Sequence, residues 1–150
     1  MFKISNDMKL ITFVSAGTFI LFSAFVMKKR ADEQSHQQAS SLYQHKWALK
    51  KIVGSAGEEA VLTKAFIEFN AEKKSAGGNG SCNQFGSSFI LTDNSISFSN
   101  IFSTKMYCDG VQQTEDSFFK QLEKVNRFEV KDKTLFLYVD KDKLLEFTTE

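Results

Sequence analysis

The pattern of hydrophobic and polar positions divides the chain into three parts. Leu10–Met27 is an uninterrupted run of eighteen uncharged residues, LITFVSAGTFILFSAFVM. Residues 31–45 contain few large apolar side chains and are rich in Gln and Ser, a composition that cannot offset its ordering entropy. From residue 46 onward, short apolar stretches alternate with turn residues. We therefore predict a membrane-directed segment over residues 1–30, a flexible tether over 31–45 and one folded domain over 46–150.

The apolar run favours a retained membrane anchor over a cleaved export signal. As a helix, residues 10–27 are just long enough to cross about 30 Å of hydrocarbon. Neither Ala24 nor Ala31 has a small residue two positions earlier, which a signal-peptide cleavage site requires. No Cys closes the run, so a lipoprotein is not predicted. Basic residues flank it on both sides, and the charge balance therefore leaves its orientation open.

The first half of the domain has the periodicity of β-strands. Lys46–Val53 is predicted to be a strand, and the sequence AFIEFN, at the end of residues 60–70, alternates in period two. A Gly-rich turn is predicted at residues 75–81. Phe89–Thr92 and Ile96–Ser99 form a predicted β-hairpin, because turn residues separate two short apolar runs.

One helix interrupts the strands between Gly110 and Asn126. Its apolar residues fall on one face, and Asp109 is predicted to cap it. The acidic pair Glu115-Asp116 is expected to be solvated at its start. Three closely spaced strands then follow between residues 128 and 147, and such short connections favour antiparallel pairing. The pattern predicts an α+β domain.

Composition narrows the functional classes. From Ser40 onward the chain has fourteen Lys or Arg residues and fifteen Asp or Glu residues, and these charges alternate along the sequence. A nucleic-acid-binding protein needs a basic face to displace counterions from phosphates. We therefore predict no nucleic acid among the partners.

Cys82 and Cys108, the two cysteines of the chain, allow two interpretations. An even number of cysteines behind an export-type segment favours a disulfide. Two buried free thiols in a reducing compartment are the alternative. Both histidines, His36 and His45, lie in the predicted tether, where a flexible base cannot hold the geometry that a Cys nucleophile needs. No phosphate-binding, dinucleotide-binding or hydrolase motif is present, so we predict no enzymatic activity, no cofactor and no metal site.

Two cysteine-containing motifs resemble those of the META domain family, which includes HslJ-like heat-shock and envelope proteins. GNGSCNQF at residues 78–85 is similar to the first motif of that family, and STKMYC at residues 103–108 is similar to its second. Glu115 begins a matching helix pattern, and Ser81 departs from the family by replacing a usual Gly. The residues that carry the resemblance are Trp47, Gly78, Gly80, Asn83, Phe85, Thr104, Met106, Glu115, Phe118 and Leu122.

The resemblance implies a rolled antiparallel β-sheet with one packed helix, placed at the bacterial cell envelope. It also implies a stress-related role without established catalysis. We expect the motif residues to be architectural, and we expect the domain to bind a protein or another envelope component outside the cytoplasm. Secretion or release into the periplasm after cleavage is the alternative location. A thiol redox protein and a small-molecule or lipid-binding domain with an apolar cavity are the alternative functions.

Overall fold

The computed structural model describes residues 16–54, 57–60 and 63–150. The chain divides into two compact units, Met1–Glu33 and Gln34–Glu150. The described elements are α1 (Ala16–Gln44), β1 (Trp47–Gly54), β2 (Gly57–Ala60), β3 (Phe66–Asn70), β4 (Ser75–Asn79), β5 (Gln84–Thr92), β6 (Ser95–Ser103), α2 (Gln112–Leu122), β7 (Arg127–Lys131), β8 (Thr134–Val139) and β9 (Asp142–Thr149).

The strands form one nine-stranded antiparallel sheet that closes on itself. Strands β3 to β9 pair in chain order, and β9 then pairs back along β1 from Trp47 to Ile52. The weakest seam lies between β6 and β7, whose ladder is the single pair Ser95↔Arg127. The intervening chain contains α2. The predicted α+β class and rolled sheet are therefore confirmed.

A continuous hydrophobic core fills the roll. Its largest fully buried side chains include Trp47, Phe118, Phe128 and Phe147. Each buried side chain of this size contributes about 1.5–3 kcal/mol relative to an exposed one. The sheet and helix α2 each supply some of these residues, so the core depends on the helix remaining in place.

Two local predictions are wrong. Residues 75–79 of the Gly-rich segment form strand β4, and the turn lies earlier, at residues 71–74. The glycines permit close backbone approach: a Cβ on Gly77 would lie 2.9 Å from the Phe85 carbonyl oxygen. Asp109 does not cap α2, because the cap position is Val111 without a side-chain bond, and Asp109 Oδ1 accepts a bond from the adjacent Gly110 N–H.

The predicted flexible tether also differs from the structure, in which α1 continues to Gln44. Contacts with the folded domain order the end of this helix, although its composition alone predicts a flexible segment. Leu42 is fully buried, and its carbonyl accepts a hydrogen bond of 3.0 Å from Trp47 Nε1. Tyr43 stacks on Phe89 with ring centroids 6.4 Å apart, and burial raises the pKa of the Tyr43 phenol. These contacts hold the last turn of the helix against the core.

The predicted membrane anchor begins at Leu10, outside the described residues. Within the part of the chain that the structure describes, no helix combines the length and apolar character that crossing a bilayer requires.

Candidate functional site: the Asn83 cluster

Asn83 lies at the centre of a hydrogen-bonded cluster, the Asn83 cluster, which also contains Thr104, Met106 and Glu115. The Asn83 side-chain amide donates to the Met106 carbonyl at 2.9 Å and to Glu115 Oε1 at 2.6 Å. Its oxygen accepts from the Thr104 hydroxyl and from the Met106 N–H, both at 2.8 Å. Asn83 is 2 % exposed, and these bonds use both donors and both acceptor positions of its amide.

Glu115 joins helix α2 to the loop between β4 and β5. Its Oε2 accepts hydrogen bonds from the backbone N–H groups of Cys82, at 3.0 Å, and Asn83, at 2.6 Å. The side chain is 2 % exposed, so the expectation of a solvated Glu115 is wrong. A buried carboxylate is costly unless donors satisfy its oxygens. Charge-assisted bonds to two backbone amides and to the Asn83 amide do so here.

The predicted disulfide is present and ties a second point of the same loop. Cys82 and Cys108 have Cα atoms 5.9 Å apart and are separated by 26 positions in the sequence. The bond fixes the end of the irregular segment 104–108, while Asn83 fixes its middle at Met106. Disulfides form and persist in oxidising compartments, so this pair indicates such a compartment.

The motif glycines permit the close packing of this loop. A Cβ on Gly80 would lie 2.6 Å from Phe119 Cζ and 2.8 Å from Glu115 Oε2. A Cβ on Gly78 would lie 2.1 Å from the carbonyl oxygen of Phe66 on β3. Both positions therefore exclude any side chain as long as the neighbouring backbone and α2 stay where they are.

Ser81, which replaces the family's usual Gly, has the backbone conformation that a glycine favours. Its φ is +115°, in a region that side-chain-bearing residues rarely adopt. Two hydrogen bonds hold it there: its N–H donates to Asn79 Oδ1 at 2.8 Å, and its hydroxyl lies 2.5 Å from that of Thr63. The departure from the family thus falls on a strained position.

The apolar motif residues lie in the core. Phe85 contacts the rings of Phe118 and Phe119 at centroid distances of 5.4 and 5.3 Å. Phe118 reaches Phe147 on β9 at 6.1 Å, and Leu122 is fully buried. The apolar motif residues therefore pack together in the core around helix α2.

Sequence reasoning missed a surface that the cluster presents to solvent. Phe102, Met106 and Tyr107 are 69 %, 59 % and 79 % exposed, and we call residues 102–107 the apolar segment. Met106 was assigned from its motif, but the cluster uses its backbone and leaves its side chain outside. The available signal was the pair of large apolar residues, Met106 and Tyr107, that directly follows Lys105 in a stretch without strand or helix periodicity.

A groove also lies on the outer surface of the roll. It has a volume of about 750 Å³ and is lined by Lys46, Thr63, Lys64, Phe66, Glu68, Gly78, Asn79, Ser81, Gln84, Phe85 and Glu150. Lys46 is already engaged, because its ammonium pairs with Glu150 at 2.5 Å and lies 4.0 Å from the centre of the Phe66 ring. This polar, open groove differs from the apolar interior cavity that a lipid-binding domain would need.

Comparison with solved structures supports the fold. A protein from Burkholderia xenovorans, solved by NMR, is 22% identical, has a TM-score of 0.62, and covers 74% of this chain and 85% of its own. A DUF4847 family protein from Bacteroides vulgatus is 12% identical, has a TM-score of 0.53, and covers 73% of this chain and 94% of its own. No curated protein matches the chain. The META domain family, however, matches residues 40–150, which include the whole Asn83 cluster and its disulfide. The chain therefore belongs to the META domain family.

Proposed function

We propose that this chain is a non-enzymatic binding domain of the bacterial envelope, which contacts a protein or another envelope component through the apolar segment. The observation that carries the proposal is the exposure of Met106 and Tyr107, 59 % and 79 %, on a segment held at two points. Aromatic residues and Met are enriched in protein interfaces. A rigid segment also loses less conformational freedom when it binds.

The chemistry of the Asn83 cluster supports a binding role over catalysis. The polar side-chain atoms of Asn83 and the carboxylate of Glu115 are engaged in hydrogen bonds within the protein. A catalytic acid or base must instead reach the substrate. Membership in the META family supports a non-catalytic, envelope-type domain, and the disulfide supports an oxidising location.

The binding proposal is tested by capturing envelope proteins on the immobilised full-length chain. The double variant Met106→Ser/Tyr107→Ser removes the apolar side chains while leaving the Met106 backbone bonds to Asn83 possible. Ile90→Ser is the matched control, because Ile90 is an equally exposed apolar residue, 68 %, on β5. We expect the double variant to lose a captured partner that the control retains. Equal capture by both variants would reject the apolar segment as the contact.

Membrane anchoring through residues 10–27 and a role in envelope stress belong to the same proposal. The eighteen-residue apolar run supports the anchor. Alkaline extraction of membranes and sequencing of the mature N-terminus test it: an anchored chain stays in the pellet and retains residues 10–27. Release of a domain beginning after Met27 would contradict it. Growth of a deletion strain after heat or envelope damage tests the stress role, for which a defect restored by the wild-type chain is expected.

A further inference from the structure

Strand β6 has an edge that no described strand covers. On one side β6 pairs with β5 from Thr92↔Ser95 to Phe85↔Ser103. On the other side its ladder with β7 is confined to Ser95↔Arg127. Beyond this pair, the Ile96 N–H donates to the Asn126 carbonyl at 3.2 Å. The residues that precede Asn126 lead back to helix α2 and do not extend the ladder.

The alternation of an antiparallel strand identifies the backbone groups at this edge. Ile96 directs its N–H away from β5, so Phe98, two residues further, directs its backbone groups the same way. Near the other end, the Thr104 N–H donates to the Gln84 carbonyl on the β5 side, which places Ser103 and Ile101 at the open edge. Apart from the Ile96 N–H, which is bonded to Asn126, the outward backbone groups of Phe98, Ile101 and Ser103 have no hydrogen-bond partner in the described part of the chain. They are therefore available to an added strand.

This edge lacks charges that would repel such a strand. The ten residues Ser95–Thr104 contain no Asp, Glu, Lys or Arg, and the whole chain contains no Pro. Charged side chains and Pro are common protections of exposed edges. Strand β6 has one bulge, opposite the register shift between Gly86 and Ser88, where Asn100 has a φ of +51°. The exposed Phe102 ring does not guard this edge, because it lies over Gly86, its cross-strand partner on β5.

We propose that the open edge of β6 binds an extended, unfolded segment of another protein as an added antiparallel strand. In this mode, main-chain hydrogen bonds supply affinity and alternate side chains supply specificity. The uncharged edge disfavours a charged residue opposite it, because a desolvated unpaired charge is costly. Lys105, at the C-terminal end of the edge, favours an acidic residue of the bound segment beside it. This inference rests on the proposed binding function and names its partner class.

A second copy of this chain fits the edge less well. Antiparallel self-pairing with Phe98 opposite Ser103 of the other copy would bring Lys105 opposite Ile96, next to Arg127 on β7. The two-fold symmetry would repeat this like-charge approach twice. An unfolded segment of another protein does not bring a second Lys105 close to Arg127.

The test uses reduced, carboxymethylated α-lactalbumin, which is unfolded and acidic, with native α-lactalbumin as the folded comparison. The full-length chain is kept in a mild non-ionic detergent. Ser99→Lys introduces a charge in the middle of the edge. Ser88→Lys is the matched control, because Ser88 is the cross-strand partner of Ser99 and β5 has strands on both sides. Affinity is measured by fluorescence anisotropy, and amide exchange is followed by NMR.

We expect the unfolded probe to bind, and the amides of Phe98, Ile101 and Ser103 to exchange at least about tenfold more slowly. Ser99→Lys should weaken binding by about tenfold or more, and Ser88→Lys by less than about twofold. No binding, or equal binding of native α-lactalbumin, overturns the inference. Binding that leaves these amides unprotected but is lost in Met106→Ser/Tyr107→Ser also overturns strand addition while preserving the proposed function. Concentration-dependent protection without the probe would assign the edge to a second copy and overturn the inference.

Discussion

At the scale of single residues, one buried carboxylate connects the helix to the sheet. Glu115 accepts three hydrogen bonds from Cys82 and Asn83, and Asn83 in turn holds Thr104 and Met106. Removing an acceptor from such a group leaves buried donors unsatisfied, which costs more than the net value of a typical bond. The cluster therefore acts as an internal connection whose stability depends on hydrogen-bond polarity as well as on shape.

Glu115→Gln should lower the free energy of unfolding by about 2 kcal/mol, because the amide turns one acceptor into a donor facing the Asn83 cluster. Asp116→Asn is the control, since Asp116 is exposed and Asn retains an oxygen that can accept its bond from Gln112. The control should change stability by less than about 0.5 kcal/mol. Urea unfolding followed by Trp47 fluorescence measures both. Equal stability of the Gln variant and the wild type would show that the hydrogen bonds contribute no net stability.

Two substitutions at Ser81 distinguish the effect of backbone strain from the effect of the side-chain hydrogen bond. Ser81→Ala loses the bond to Thr63 but keeps a Cβ at φ of +115°, whereas Ser81→Gly loses the same bond and relieves the conformation. The Gly variant should therefore be more stable than the Ala variant by about 1 kcal/mol or more. Thermal or denaturant unfolding of the pair measures the difference. An Ala variant as stable as the Gly variant would remove strain from the account.

At the scale of elements, the apolar segment is held at Met106 by hydrogen bonds and directly after its last residue by the disulfide. The disulfide holds Cys108, and Asn83 holds Met106 independently of it. The turn bond from the Val111 N–H to the Cys108 carbonyl, at 3.4 Å, follows the disulfide end. Breaking the disulfide should thus loosen the start of α2 more than the middle of the segment.

Replacing both Cys82 and Cys108 by Ser should lower the free energy of unfolding by about 3.5 kcal/mol on the chain-entropy model of a loop of this length. Amide exchange should increase at Val111 while Met106 stays protected by Asn83. Wild-type protein in reductant is the control and should reproduce both effects. If the oxidised wild type and the double variant had the same free energy of unfolding, the disulfide would contribute nothing to the stability of the fold.

Elements with a clear periodicity could be predicted, and those determined by distant packing could not. The hairpin around Asp93-Asn94 and the C-terminal strands follow from local turn chemistry and alternation. Strand β4 did not, because its glycines signal a turn locally but serve close approach to β3 and β5. The last turn of α1 was missed because Trp47 and Phe89, outside the segment, stabilise it.

The candidate site was predictable in its membership but not in its exposure. The disulfide between Cys82 and Cys108 was the favoured interpretation of the two cysteines and is present, whereas the contact of Asn83 with Thr104 emerges from the structure. The sequence could not show that Glu115 is buried, because the acidic pair Glu115-Asp116 reads as a solvated helix start. The sequence also could not decide that Tyr107 faces solvent while its neighbour Cys108 forms the disulfide.

At the scale of the whole molecule, most large apolar side chains of the domain are buried in the rolled sheet, and a few are exposed on its surface. The core fills the rolled sheet, the Asn83 cluster connects α2 to the loop between β4 and β5, and the polar groups of the motifs bond to one another inside the protein. The apolar segment and the adjacent β6 edge are the surfaces that we propose for recognition. We propose that the motif residues of this chain build the domain and that the exposed side chains beside them bind the partner.

Site-specific photo-cross-linking in living cells tests that claim most directly. A benzoylphenylalanine at position 107 lies on the apolar segment, and one at position 90 replaces Ile90, which is 68 % exposed on β5. The account predicts a discrete protein adduct from position 107 and none from position 90. Absence of an adduct at position 107, or the same adducts at both positions, would contradict it.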